Sequence, residues 1–170
     1  MKKLLFCTLG VLLCLSSAFA GDTLNLRIDD MHCGKCAQRI KGRLAQVEGI
    51  DSVATHTLRH YITVSYDGNK TNGQAIRAAI GELGFTPVSY FKGEDYGYAY
   101  FLLPEGAANE ETVKKVSALQ NVCDVNVSPK RKALALTYRS KETDESALLK
   151  AINALGIEAT LPEPHVCKDK

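Results

Sequence analysis

The chain has 170 residues, of which 45% are hydrophobic, with 21 basic and 19 acidic side chains, six cysteines and no tryptophan. That length accommodates one ordinary domain or two small ones. A formal net charge of +2 excludes the strongly basic footprint of a nucleic-acid-binding protein.

Residues 1–20 carry Lys2 and Lys3, an apolar run from Leu4 to about Leu15, and then Ser16-Ser17-Ala18-Phe19-Ala20. This is the pattern of a secretory signal peptide, cut after Ala20 to give a chain starting at Gly21. The run falls short of the roughly 20 apolar residues of a membrane span, so no stable membrane insertion is expected after cleavage. Cys14 follows Leu13 rather than a small residue, which argues against a lipoprotein site. Loss of the signal leaves 19 basic and 19 acidic residues and four cysteines, Cys33, Cys36, Cys123 and Cys167. The expected setting is exported and periplasmic, which permits disulfides.

Leu24, Leu26 and Ile28 alternate with polar neighbours, predicting a strand over 23–29. Ala37, Ile40, Leu44 and Val47 recur at helical spacing and predict a helix over 35–47. Strands over 52–57 and 61–66, a helix over 72–83 ending at Gly84, and a strand over 86–91 follow.

Sliding the chain by 72 positions places Val53 on Val125, Arg59 on Arg131, Tyr66 on Tyr138, Ala79-Ile80 on Ala151-Ile152 and Leu83-Gly84 on Leu155-Gly156. The second copy reads as strands over 96–103, 124–127, 133–138 and 157–161, with helices over 109–119 and 144–155. Each copy is βαββαβ, so the expected fold class is α+β: two tandem ferredoxin-like units, each an antiparallel four-stranded sheet with two helices on one face. The division is 22–91 for a first domain and 95–162 for a second, joined at Lys92-Gly93-Glu94-Asp95, with a tail over 163–170.

Met31-His32-Cys33-Gly34-Lys35-Cys36 lies where the first strand gives way to the first helix. Free N–H groups and the positive end of the helix dipole stabilise a thiolate there, and Lys35 and Arg39 add positive charge. On spacing alone, a disulfide and a metal site fit equally well. Structural zinc normally takes four ligands, and no second CxxC is present. Two thiolates suit a soft ion of low coordination number, such as Cu(I) or Hg(II).

In this context Met31-x-Cys33-x-x-Cys36, Val47-Glu48-Gly49-Ile50 and Leu83-Gly84-Phe85 resemble the heavy-metal-associated domain. That family includes copper chaperones, modules of metal-pumping P-type ATPases and the periplasmic mercuric-ion binding protein. The resemblance covers about residues 22–90 and implies a ferredoxin-like fold whose Cys33 and Cys36 bind a soft metal and pass it to an acceptor protein. It makes Met31 a core residue steadying the loop and places Phe85 facing the site. Asp30 departs from the glycine common at that position and puts a negative charge beside it. In the second copy the slide sets Glu105 and Ala108 where the first has Cys33 and Cys36, so one site per chain is expected.

Other side chains have competing readings. His32 is a solvated loop residue or a third ligand; His56 and His60 flank a hairpin turn at the same end of the fold as the cysteine loop. Cys123 and Cys167 form a disulfide that pins the tail, or His165 and Cys167 form a metal-binding tail. Tyr90, Phe91, Tyr96, Tyr98, Tyr100 and Phe101 suit packing between the copies. Lys35, Arg39 and Arg43 form a solvated helix face or a dock for an acidic partner. The combined expectation is a non-enzymatic, exported carrier of Cu(I), with Hg(II) or Zn(II) as alternatives, that delivers or sequesters its ion and has a metal-transport or metal-acceptor protein as partner. The readings in competition are a thiol–disulfide redox protein and a protein-interaction module.

Overall fold

The computed structural model describes residues 21–163. The signal segment, with Cys7 and Cys14, and residues 164–170, with His165 and Cys167, lie outside the described residues. The elements run β1 (Asp22–Arg27), α1 (Gly34–Leu44), β2 (Ile50–His56), β3 (Tyr61–Tyr66), α2 (Gly73–Glu82), β4 (Val88–Ser89), β5 (Tyr96–Leu102), α3 (Glu110–Ser117), β6 (Val122–Ser128), β7 (Ala133–Arg139) and α4 (Glu145–Ala154). Each helix opens on a side chain that accepts a hydrogen bond from the N–H three residues on: Cys33, Asn72, Asn109 and Asp144 in turn. No helix among the described residues is long and apolar enough to cross a membrane.

The first sheet is antiparallel in the order β2-β3-β1-β4. Its core joins Leu26, Ile62 and Val64 from the strands to Ile40 and Leu44 of α1 and Ile76 and Ile80 of α2, so that both helices share one face. The second sheet repeats this plan around Phe101, Leu134, Leu136, Val116, Leu148 and Ile152. Left-handed backbone recurs at the 72-residue interval, at Gly49 and Asn121, His60 and Lys132, and Gly84 and Gly156. The register shift between Ile50 and Ser52 recurs between Val122 and Asp124, which makes Asp51 and Cys123 the extra residues of matching bulges.

The second sheet has three strands, β5-β7-β6, not the expected four. The segment at 157–161 contributes a single bridge, Leu102 with Thr160. In the first half, Arg27 pairs with Val88 and the Tyr90 N–H then donates to the Asn25 carbonyl at 3.0 Å. The same register after Thr160 brings residue 162 to that position, and Pro162 has no N–H to give. β5 is thereby left as an edge beyond Leu102.

The two halves pack through the helix-free face of the second sheet. Along β7, Leu134, Leu136 and Tyr138 face the helices, whereas Ala133, Ala135 and Thr137 are buried on the other side. β4 covers that side. Thr137 Oγ1 donates to the Ser89 carbonyl at 2.7 Å, and Asn126 Nδ2 donates to the Pro87 carbonyl at 2.8 Å. Asp124 Oδ2 accepts from the Ser89 N–H at 2.6 Å and from Arg77 Nη2 at 2.8 Å. Further along, Ser128 Oγ donates to the Gly84 carbonyl at 2.7 Å, and Lys130 Nζ donates to the Glu82 carbonyl. The aromatic residues at 90–98 extend the contact: Tyr61 stacks on Tyr90 at 4.3 Å, Tyr90 on Tyr98 at 5.7 Å, and Arg27 lies over the Tyr98 ring at 5.1 Å.

Asp124 holds two donors of the first half at once. Asp124→Ala is expected to destabilise the protein by about 2 kcal/mol, the usual scale for hydrogen bonds to a charged group, read as a lower urea midpoint.

Candidate metal centre

β1 ends at Arg27, and the chain then turns through a loop anchored at both ends. The Ile28 N–H donates to the His60 carbonyl at 2.7 Å and the Met31 N–H to the Ile28 carbonyl at 3.0 Å, while the Ile28 and Met31 side chains are fully buried in the core. Two residues later Cys33 is the N-cap of α1, with extended backbone, and its Sγ accepts the Cys36 N–H at 3.4 Å. Cys33 is exposed; Cys36 is half-buried and packs against the core cluster.

Both are free thiols, with their sulfurs 3.1 Å apart. The pair is electrostatically asymmetric. Hydrogen bonds from the Cys36 thiol and from the Cys36 backbone N–H, with a smaller contribution from Lys35, hold the Cys33 thiol below its ordinary range. Burial, followed by the hydrogen bond and negative charge of its neighbour, pushes Cys36 up. Of the two, Cys33 is the more readily ionised, and its thiolate would be hydrogen-bonded by the Cys36 thiol. An ion held in line between the two sulfurs at about 2.3 Å from each would need them about 4.6 Å apart, wider than the 3.1 Å seen.

Phe85 is fully buried beneath the loop, and its ring lies under both Arg39, 5.7 Å from the centroid, and Arg131, 4.8 Å away. Asp30 is buried too, 3.4 Å from Arg131 and 3.4 Å from Thr86 Oγ1. Burial outweighs the Arg131 guanidinium and pushes the Asp30 carboxyl up to about 6. The negative charge anticipated beside the cysteines is therefore tucked under a cation of the second half. The sequence reasoning missed Arg131; its only signal was identity with Arg59 across the repeat.

His32 is exposed, and its ring meets His60 edge-on at 5.6 Å. His56 turns away to stack on Tyr61 at 4.2 Å. Arg43 is held by Glu82 at 2.7 Å, leaving Lys35 and Arg39 as the basic groups nearest the cysteines. Among the described residues no group of three or more His, Cys, Asp and Glu side chains converges to hold a metal ion. In the second half α3 has 8 residues against 11 in α1, so the gapless slide fails locally. The residue that takes the N-cap role of Cys33 is Asn109 rather than Glu105, and Thr112 stands three residues on, in the place of Cys36. Cys123 is an exposed free thiol on β6, across the sheet from β5, while Cys167 lies outside the described residues.

Residues 25–86 match the heavy-metal-associated domain. The mercuric transport protein periplasmic component of Acinetobacter calcoaceticus is 30% identical over 86 residues, which span 50% of this chain and 93% of that protein. The chain belongs to the heavy-metal-associated domain family. Copper-transporting ATPase 2 of Homo sapiens is 32% identical over 96 residues, 56% of this chain but 6% of the ATPase. This chain likewise spans only 16% of the copper-exporting P-type ATPase of Bacillus subtilis. The crystal structure of oxidised MerP from Ralstonia metallidurans CH34 aligns with a TM-score of 0.38 at 26% identity, covering 40% of this chain and 94% of that one.

Two outcomes follow for this heavy-metal-associated module. Iodoacetamide at neutral pH should alkylate Cys33 before Cys36, because Cys33 is both the exposed thiol and the more acidic one; peptide mapping of briefly labelled protein reads the order. Asp30 has a folded-state value raised from 3.8 to about 6. Its contribution is most favourable below pH 3.8, where it is protonated in both states, and is lost as the pH rises through 6, a span worth about 3 kcal/mol. Asp30→Asn should flatten this part of the stability profile, measured by urea unfolding from pH 4 to pH 7.

Proposed function

We propose that this protein is an exported carrier of a soft metal ion, Cu(I) first, which it binds through Cys33 and Cys36 and hands to an acceptor protein or keeps sequestered. The observation that carries the reading is the pairing of an exposed, acidified Cys33 with a half-buried Cys36 at the start of α1. The more acidic Cys33 ionises first to meet the incoming ion, and Cys36 gives up its proton to solvent as its sulfur binds. Two soft donors without a third protein ligand among the described residues favour a soft ion over a hard one.

Exchange with an acceptor proceeds by addition before loss. An incoming thiolate approaches the ion from the solvent side, makes a three-coordinate intermediate, and displaces Cys33 before Cys36, since Cys36 is held by the core. Apart from protons exchanged between the sulfurs and solvent, only metal–sulfur bonds are made or broken, so the activity is binding and transfer, not catalysis. A relative named as a mercuric transport component and a relative named as a copper-transporting ATPase support the soft-ion class and, as acceptor, a metal transporter. The domains are residues 22–91, which bind metal, and residues 95–162, which lack the thiols and brace the first. Residues 1–20 act as the export signal and place the protein in the periplasm.

The reading is tested by anaerobic titration with Cu(I) against bicinchoninate. One ion per chain is expected, with Cys33→Ser and Cys36→Ser each weakening binding on the order of 100-fold or more. Turnover in an insulin-reduction assay without Cu(I) binding would instead identify a thiol–disulfide protein.

A further inference from the structure

The second half holds the first at two places. One is β4, whose neighbours Pro87 and Ser89 are bound by Asp124, Asn126 and Thr137. The other is the turn between β6 and β7, closed by a hydrogen bond from the Lys132 N–H to the Pro129 carbonyl at 3.3 Å. This turn sits on the segment that joins α2 to β4. Ser128 Oγ, buried, donates to the Gly84 carbonyl at 2.7 Å, and Lys130 Nζ donates to the Glu82 carbonyl. Gly84 has left-handed backbone, with φ +93°, and a Cβ there would lie 3.6 Å from Lys130 Cβ and 3.8 Å from Arg131 Nε. The turn therefore follows that backbone at van der Waals distance.

Arg131 reaches furthest into the first half. Its guanidinium lies 4.8 Å from the centroid of Phe85, and its Nε lies 3.4 Å from Asp30 Oδ2. Both partners are buried, and both adjoin the cysteine loop. Phe85 belongs to the core cluster against which Cys36 packs, and Arg39, three residues past Cys36, lies over the same ring at 5.7 Å. Asp30 precedes Met31, whose side chain is fully buried in that cluster, and Cys33 caps α1 two residues later.

We propose that Arg131 is a positioning residue of the metal site: from the second half it fixes Phe85 and Asp30 beneath the cysteine loop, and so sets how long the loop keeps a bound ion. The inference rests on the carrier reading above and gives the second half a part in ion release at that same site. Without the guanidinium, the Asp30 carboxylate is left buried with no counter-charge, and the residue before Met31 is driven toward solvent. The Phe85 ring loses one of its two cations, in the cluster where Cys36 is anchored. Either change loosens the fixed side of the sulfur pair. A chelating pair that must be reordered at each capture holds its ion less well than one already in place.

The test uses the full chain, reduced and loaded anaerobically with one equivalent of Cu(I), and follows ion transfer to bicinchoninate. Arg131→Ala is expected to speed transfer about tenfold, and Arg131→Lys, which keeps a cation beside Asp30 and Phe85, to stay within about threefold of the parent. Asp124→Ala weakens the other contact between the halves; it should lower the urea midpoint but leave transfer within about twofold. Should Arg131→Ala fail to fold because Asp30 is left unpaired, Asp30→Asn removes that burden, and faster transfer in Asp30→Asn/Arg131→Ala than in Asp30→Asn alone supports the inference. Equal transfer in those two variants overturns it, as does an acceleration by Asp124→Ala that matches Arg131→Ala, the mark of a general loss of stability. A parent that binds one ion but releases it as fast as Arg131→Ala overturns this inference alone. A parent that binds none overturns the carrier reading with it.

Discussion

Cys36 belongs at once to the cysteine loop and to the hydrophobic core, and the asymmetry of the pair follows from that double membership. Its side chain packs against the cluster that contains Met31, Ile40 and Phe85, so desolvation disfavours its ionisation. Cys33, three residues away and in solvent, takes the hydrogen bonds and is the more acidic. A pair of equally exposed thiols would repel on ionisation, and a pair of equally buried ones would resist it. Unequal burial makes the exposed Cys33 the more acidic thiol and keeps Cys36 the more reluctant to ionise.

The second half of the chain acts on this site from behind. By laying its helix-free face over β4 it buries Ala133, Ala135 and Thr137 and delivers Arg131 to Phe85 and Asp30. Asp30 would be costly in an isolated first half, since one of its carboxylate oxygens still lacks a hydrogen-bond partner and burial outweighs its ion pair. The covering Arg131 is its only cation partner among the described residues. The brace and the loop are thus one mechanical unit, even though the thiols belong to one half.

Much of this was legible in the sequence because the dominant signals were local. Period-two and helical patterns gave the strands and helices, the change of period placed Cys33 and Cys36 at the start of α1, and the 72-residue repeat carried even the left-handed positions and the bulges. The failures were local as well. Pro162 removes one N–H and with it the last strand, a consequence visible only once the register of Arg27 with Val88 is known. The three-residue shortening of α3 displaces the N-cap from Glu105 to Asn109, which a gapless slide cannot detect. Arg131 was read as a mark of duplication because nothing in a linear pattern says which face of a sheet another module will cover.

Arg59 and Arg131 show how a duplicated position can acquire two jobs. Both sit in the turn between the second and third strands of their copies. The Arg59 carbonyl accepts from Arg27 at 2.7 Å, so that turn closes on its own half. Arg131 points out of its half, toward a buried carboxylate and an aromatic ring of the other. The difference arises from what each turn faces, solvent in one case and the loop before Met31 in the other. The second copy's turn lies against the first half, so its guanidinium finds in Asp30 a buried carboxylate there.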